Sequence, residues 1–325
     1  MALKASAMDG QAKVASPAVA ERSVVALLQR LIDYAGLFPP ASLGMAAAVG
    51  NYEKYLRSEF NWMLGRFIVP AARLGEFQEV AEELQRARAE KTRCWDLSAL
   101  LGPDVAADFA RVSEFNLQRV ANSSPIGAKI ESVEVKITSS AEIEKFSRII
   151  CLDMETYFEI PWNGATPEDM HECVKAVAAC GRRAKIRTGG ETADKFPPSE
   201  MLVEFMKACA TANVGFKATA GLHHPVRSRH RLTYLADSPS GVMHGFLNVF
   251  LGAAFVRAGM DSPLVVQLLN EREADRFEFD SSGVTWRGHH LSSGQIAQAR
   301  RNFAISFGSC SFGEPIEDLQ ALYLL

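Results

Sequence analysis

The sequence predicts an α/β protein, a (β/α)8 TIM-type barrel carrying a C-terminal helix/hairpin appendage, and three observations predict it. Strand-like and helix-like segments alternate eight times, polar residues recur at every second position of successive strands, and two of those strands carry a lysine within an apolar run. Alternating βα units demand a parallel sheet, and eight of them suit a closed barrel. An open doubly wound sheet, packed by helices on both faces, would read apolar on both faces of its strands.

Each element follows from local signals. Ser23 to Ile32 has helical spacing, and Tyr34-Ala35-Gly36-Leu37-Phe38 reads as a short first strand stopped by Pro39-Pro40. Phe38-Pro39-Pro40-Ala41-Ser42 reads as a rigid turn with Ser42 capping the next helix. Helices are then expected over 43–58, 74–90, 104–117, 140–148, 167–180 and 199–211. Strands are expected over 66–70, 94–100, 132–138, 155–161, 183–188 and 215–220. Val242 to Asn248 reads as the last barrel strand, running into a helix over 249–258. This divides the chain into a loose tail at 1–20, a barrel at 21–260 and an appendage at 261–325 packed on the barrel. In the appendage Pro263 to Arg272 reads as helix, Arg276 to Arg287 as a hairpin, Gly294 to Ile305 as helix, and Phe307 to Gly313 as a small-residue loop.

Parity supports the barrel. Asp96 alternates with Trp95 and Leu97, Glu134 and Lys136 with Val133 and Val135, and Tyr157 and Glu159 with Phe158 and Ile160. Lys185 and Arg187 share one face of their strand, as do Lys217 and Thr219. Charges of opposite sign on the inner face of several strands fit a polar lumen.

At 325 residues and 48% hydrophobic, the chain can bury a large core. A net charge of −3 gives no general attraction to nucleic acid or to an anionic membrane surface. From Arg182 to Arg231, however, ten Lys/Arg face four Asp/Glu, which fits a small anionic ligand. Six cysteines are scattered without a CxxC pair, as expected of a reduced compartment, and the expected location is cytoplasmic. No apolar run approaches a membrane span. A homo-oligomer is left open.

The two lysines suggest covalent chemistry. A neutral amine attacks carbonyl carbon, and a second cation close by lowers a lysine's pKa toward that state. Lys185-Ile186-Arg187-Thr188-Gly189 followed by Val214-Gly215-Phe216-Lys217-Ala218-Thr219-Ala220-Gly221 resembles the deoxyribose-phosphate aldolase type of class I, Schiff-base aldolase. That resemblance covers residues 183–221 and implies that Lys185 forms the imine and Lys217 is the helper lysine. It also implies an acidic proton carrier on an earlier strand, for which Glu134 and Glu159 are the candidates. Arg187 stands where the family has a small residue, and His223-His224-Pro225 where it has a phosphate-holding loop.

The expected enzyme is therefore a lyase, aldolase-like, acting on a small anionic carbonyl compound without a cofactor. Arg187, Arg227, Lys136, Thr219 and His223 are the candidate substrate-binding residues. A first alternative places a divalent metal among His223, His224, His244 and Glu159, similar in outline to carbon–carbon lyases of the hydroxymethylglutaryl-CoA lyase type. A second is a non-catalytic ligand-binding or scaffold barrel whose lysines form ion pairs with Glu134 and Glu159. Cys310, with no paired base evident in the sequence, reads as structural.

Overall fold

The computed structural model describes residues 21–86, 94–120 and 127–325. The tail expected over 1–20 and the last residues of the helix expected over 74–90 lie outside the described residues. The barrel strands are β1 (Ile32–Tyr34), β2 (Leu64–Pro70), β3 (Trp95–Leu101), β4 (Ala128–Lys136), β5 (Glu155–Ile160), β6 (Arg183–Arg187) and β7 (Phe216–Thr219). There follow an antiparallel hairpin, β8 (Ser228–Arg231) with β9 (Ser240–Met243), and a small antiparallel sheet of β10 (Phe277–Phe279), β11 (Gly283–Trp286) and β12 (His289–Ser292). The eighth barrel strand is β13 (Ala304–Ser309). The ring closes in the spatial order β1, β13, β7, β6, β5, β4, β3, β2, with every neighbouring pair parallel.

Two expectations need correction here. The segment 242–248 is not a barrel strand: its first residues end β9 and the rest begin the helix Phe246–Arg257. Every residue from Phe246 to Phe255 is buried, because this helix is covered on all sides, and a segment apolar all round has no period to separate helix from strand. The barrel therefore continues past residue 260. The helix/hairpin part (helix Ser262–Leu269, β10–β12, helix Ser293–Asn302) is inserted before the closing strand rather than trailing it, and the expected loop at 307–313 begins as that strand. The second correction concerns Ser42. The next helix is Met45–Leu56, its N-cap is Gly44, and no side chain caps it.

Elsewhere capping chemistry works as its sequence suggests. Thr166-Pro167-Glu168-Asp169 opens the helix Pro167–Ala179 with Pro at the first turn. The Thr166 hydroxyl accepts from the Asp169 N–H (3.2 Å) while the Asp169 carboxylate accepts from the Thr166 N–H (2.9 Å).

Between strands and helices lies the apolar core. Outside β1–β3, Tyr34, Tyr52, Phe67, Phe77 and Trp95 form a chain of ring contacts with centroids 5.3 to 6.4 Å apart. Phe216 is wedged edge-on between Phe205 and Phe303, and Phe307 packs on Phe246 and Phe250. Each such ring contributes about 1.5–3 kcal/mol by leaving water. These outward residues leave the alternate, polar positions to the lumen.

Candidate active site

The lumen holds an ion ladder. Lys185 Nζ lies 2.7 Å from Glu134 Oε2 and 2.8 Å from Glu159 Oε2. Lys217 Nζ lies 2.6 Å from Glu134 Oε1 and 2.7 Å from Asp33 Oδ2. Glu134 therefore bridges the two ammonium groups, and it accepts a third bond from the Ser98 hydroxyl (2.8 Å), itself bonded by that of Ser132 (2.9 Å). Asp33 accepts from the Arg66 backbone N–H (2.7 Å) and the Ser306 hydroxyl (2.8 Å). The ring of Tyr157 lies 5.1 Å from Lys217 Nζ, adding a cation–π contact. Gly65 in β2 is required, because a Cβ there would collide with the Asp33 carboxylate.

Strand register explains the convergence. Glu159 of β5 is paired with Lys185 of β6, and Lys185 with Lys217 of β7, so one row of the barrel carries the three groups side by side. Asp33 and Ser306 arrive from β1 and β13, which are neighbours only because β13 closes the ring.

The electrostatics differ from the sequence expectation in one respect. Lys217 was expected to depress the pKa of Lys185, but the carboxylate of Glu134 stands between them and neutralises both. Burial works against each ammonium, yet the adjoining carboxylates outweigh it and raise both lysines above their ordinary value. Burial likewise opposes ionisation of Glu134 and Glu159, but the lysines hold both below the usual carboxylate range. Lys185 rests as an ammonium in contact with two carboxylates.

Above this ladder, at the C-terminal ends of the strands, a cavity of about 690 Å³ opens. Lys185, Glu134 and Glu159 form part of its lining, whereas Lys217 is not among the lining residues and is 1% exposed. Lys136, Arg187 and Lys195 bring cations to the wall, and Arg187 Nε lies 3.5 Å from Glu159 Oε1. Phe38, Pro39 and Trp162 supply apolar wall. The gap between β6 and β7 is tight at the top: Gly221 has φ +75°, and a Cβ on it would come within 2.7 Å of Gly189 Cα.

Thr219 and His223 also line the cavity, so of the substrate-binding candidates Arg187, Lys136, Thr219 and His223 are brought to it. Arg227 is not. Its guanidinium lies 2.8 Å from His244 Nδ1, and its backbone N–H donates to Asn248 Oδ1 (3.0 Å), which ties it to the start of the helix Phe246–Arg257. The expected metal set does not converge either. His223 Nδ1 is 2.9 Å from Glu314 Oε2, and His224 Nδ1 is 2.6 Å from Asp318 Oδ2. His244 has both ring nitrogens engaged, by Arg227 and by the Pro197 carbonyl (2.8 Å), and Glu159 belongs to Lys185. Among the described residues no group of three or more His, Cys, Asp or Glu side chains is arranged to hold a metal ion.

Sequence reasoning missed the serine donors Ser98, Ser132 and Ser306 and the pairing of Asp33 with Lys217. Ser98 follows Asp96 by two positions, and Ser132 precedes Glu134 by two, so the inner-face parity already contained both. Ser306 had no such signal, since its segment was not read as a strand.

No family model matches this sequence, and no curated protein matches it. Solved structures do. The chain is similar to a deoxyribose phosphate aldolase from Aeropyrum pernix, described as a unique tetramer, at 10% identity and a TM-score of 0.45 over 93% of this chain and 98% of that one. It is also similar to QR15, described as an aldolase, at 11% identity and a TM-score of 0.37 over 59% of this chain and 80% of that one. The strand pairing establishes the barrel, and the case for chemistry rests on the lumen. No helix among the described residues is long and apolar enough to cross a membrane.

Proposed function

We propose that this barrel is an aldolase-type lyase that cleaves or forms a carbon–carbon bond in a small anionic carbonyl compound through an imine on Lys185. The observation that carries the reading is the placement of Lys185 Nζ in the cavity lining between two carboxylates, with the second lysine sealed from the cavity.

Glu159 and Glu134 are not equivalent proton carriers. Glu134 takes three charged or hydroxyl donors and is 1% exposed, so it is held as the fixed anion. Glu159 sits at the cavity with Lys185 and the longer Arg187 contact as its partners. It accepts the ammonium proton as substrate enters, and the freed amine attacks the carbonyl carbon. Glu159 returns the proton to the carbinolamine oxygen, and water leaves to give the iminium. For cleavage, a carboxylate takes the proton of the β-hydroxyl, the carbon–carbon bond breaks, and its electron pair moves into the iminium to give an enamine. Protonation of that enamine and hydrolysis restore Lys185. Arg187 and Lys136 hold the anionic group, and Thr219 offers its hydroxyl.

Borohydride reduction during incubation with a panel of small anionic aldehydes and ketones tests this. The expected result is a secondary-amine adduct located to Lys185 by peptide mass mapping. Turnover of a carbonyl substrate with Lys185 unmodified overturns the imine. Absence of both adduct and turnover would leave a ligand-binding barrel, for which the full neutralisation of Lys217 beneath the cavity is the favouring observation.

A further inference from the structure

We propose that Cys310 is an activated thiol, paired with His223 and oriented through Glu314, that captures small aldehydes and other soft electrophiles in the barrel-mouth cavity. Cys310 follows β13 directly and lines the cavity together with His223, which comes from the loop after β7. Cys310 Sγ lies 4.0 Å from His223 Nε2, and the other ring nitrogen, Nδ1, lies 2.9 Å from Glu314 Oε2. The Tyr234 hydroxyl donates to the same Glu314 oxygen (3.0 Å) and lies 3.6 Å from Cys310 Sγ. A nucleophile, a base within reach and a carboxylate that fixes the base's tautomer make up the arrangement from which thiolate chemistry starts, and thiol–base distances in ligand-free sites are commonly long.

None of these groups takes part in the lysine ladder, so the proposal stands apart from the imine reading. Burial works against a charged His223 ring, but the contacts with Cys310 and Glu314 outweigh it and raise its pKa to about 9. Glu314 is held low by His223 and Tyr234 against the cost of burial. Among the described residues the other titratable groups facing this cluster are Tyr34 of β1, whose hydroxyl is pushed up to about 12 chiefly by burial, and His224, His230 and Asp318 behind it.

The capture step balances without a co-reactant. The thiolate sulfur bonds to the aldehyde carbon, the π pair of the carbonyl moves to oxygen, and that oxygen takes the proton carried on His223 Nε2, giving a neutral hemithioacetal. The reverse sequence releases the aldehyde and restores the ion pair.

Iodoacetamide alkylation of the full protein, followed across pH by peptide mass mapping, provides the test, with the exposed Cys94 and Cys151 as internal references. At neutral pH Cys310 should outpace Cys151 by about tenfold, and His223→Asn or Glu314→Gln should slow it toward the Cys151 rate. Glycolaldehyde should slow alkylation of Cys310 and leave Cys151 unchanged. Reaction of Cys310 at or below the rate of Cys151 at every pH in the wild-type protein overturns the activated thiol, whatever the variants do; absence of glycolaldehyde protection overturns aldehyde capture. Borohydride labelling of Lys185 is read separately, so either proposal can fail alone.

Discussion

Replacing Glu134 by Gln removes the charge that joins the two lysines while keeping nearly the same shape. In the wild-type lumen Asp33, Glu134 and Glu159 balance Lys185, Lys217 and the nearby Arg187. The variant leaves one positive charge in excess across the lumen and its mouth. At an effective dielectric constant of about 20, a contact near 2.7 Å carries roughly 6 kcal/mol of gross attraction, and Glu134 makes two of them. Desolvation offsets most of that, and breaking a buried pair from one side costs about 3–5 kcal/mol net. Each ammonium keeps one carboxylate in the variant, Asp33 or Glu159, which places the expected loss near about 3 kcal/mol. The assay is urea unfolding at neutral pH for wild type, Glu134→Gln, Lys217→Met and the double variant. Charge balance returns in the double variant, which should therefore lose less than the sum of the singles by about 1–3 kcal/mol. A Glu134→Gln protein within about 0.5 kcal/mol of wild type, or an additive cycle, would refute the ladder as a coupled unit.

Two other outcomes follow from the same geometry. Stability should fall in two stages on acidification. His244 is buried beside Arg227, chiefly burial lowers it from 6.5 to about 4, and so its contribution of about 3 kcal/mol is present above 6.5 and lost as pH falls through about 4. Glu134 and Glu159, also depressed, contribute fully above the ordinary carboxylate value and lose that contribution below it; the raised lysines matter only on the alkaline side. Thermal melts across pH read this, and a flat profile between neutral pH and pH about 4 would contradict the neutral buried imidazole. Arg187→Met should weaken binding of anionic carbonyl compounds while changing stability by less than about 1 kcal/mol, since its side chain is 44% exposed. Calorimetric titration and urea unfolding separate the two effects, and unchanged affinity would remove Arg187 from the anion subsite.

The inner-face residues were legible because strand alternation is a strict period. Glu134, Glu159, Lys185 and Lys217 follow from counting by two, and an apolar outer face confirms the direction. The eighth strand was not legible. Ala304–Ser309 is short, contains Ser306, Gly308 and Ser309, and follows a helix directly, so it lacks both the β-branched run and the turn residues that mark a strand. The uniformly apolar stretch around Phe246 imitated the missing strand and took its place. The thiol cluster was illegible for another reason. Cys310 and His223 are 87 residues apart, and only closure of the ring brings the end of β13 beside the loop after β7.

That closure also constrains how the molecule assembles. The Ser306 hydroxyl donates to Asp33 across 273 residues of chain, and the strand that seals β1 against β7 is made after a long excursion through one hairpin, a three-stranded sheet and three α-helices. During synthesis β1 must wait, one edge unpaired, until every other barrel strand and the segments before β13 have been made. Such distant pairing slows folding and prolongs the exposure of sticky intermediates. Loss of a few residues around Ser306 would open the ring between β1 and β7 and leave the Arg66 N–H as the remaining anchor of the Asp33 carboxylate beside Lys217.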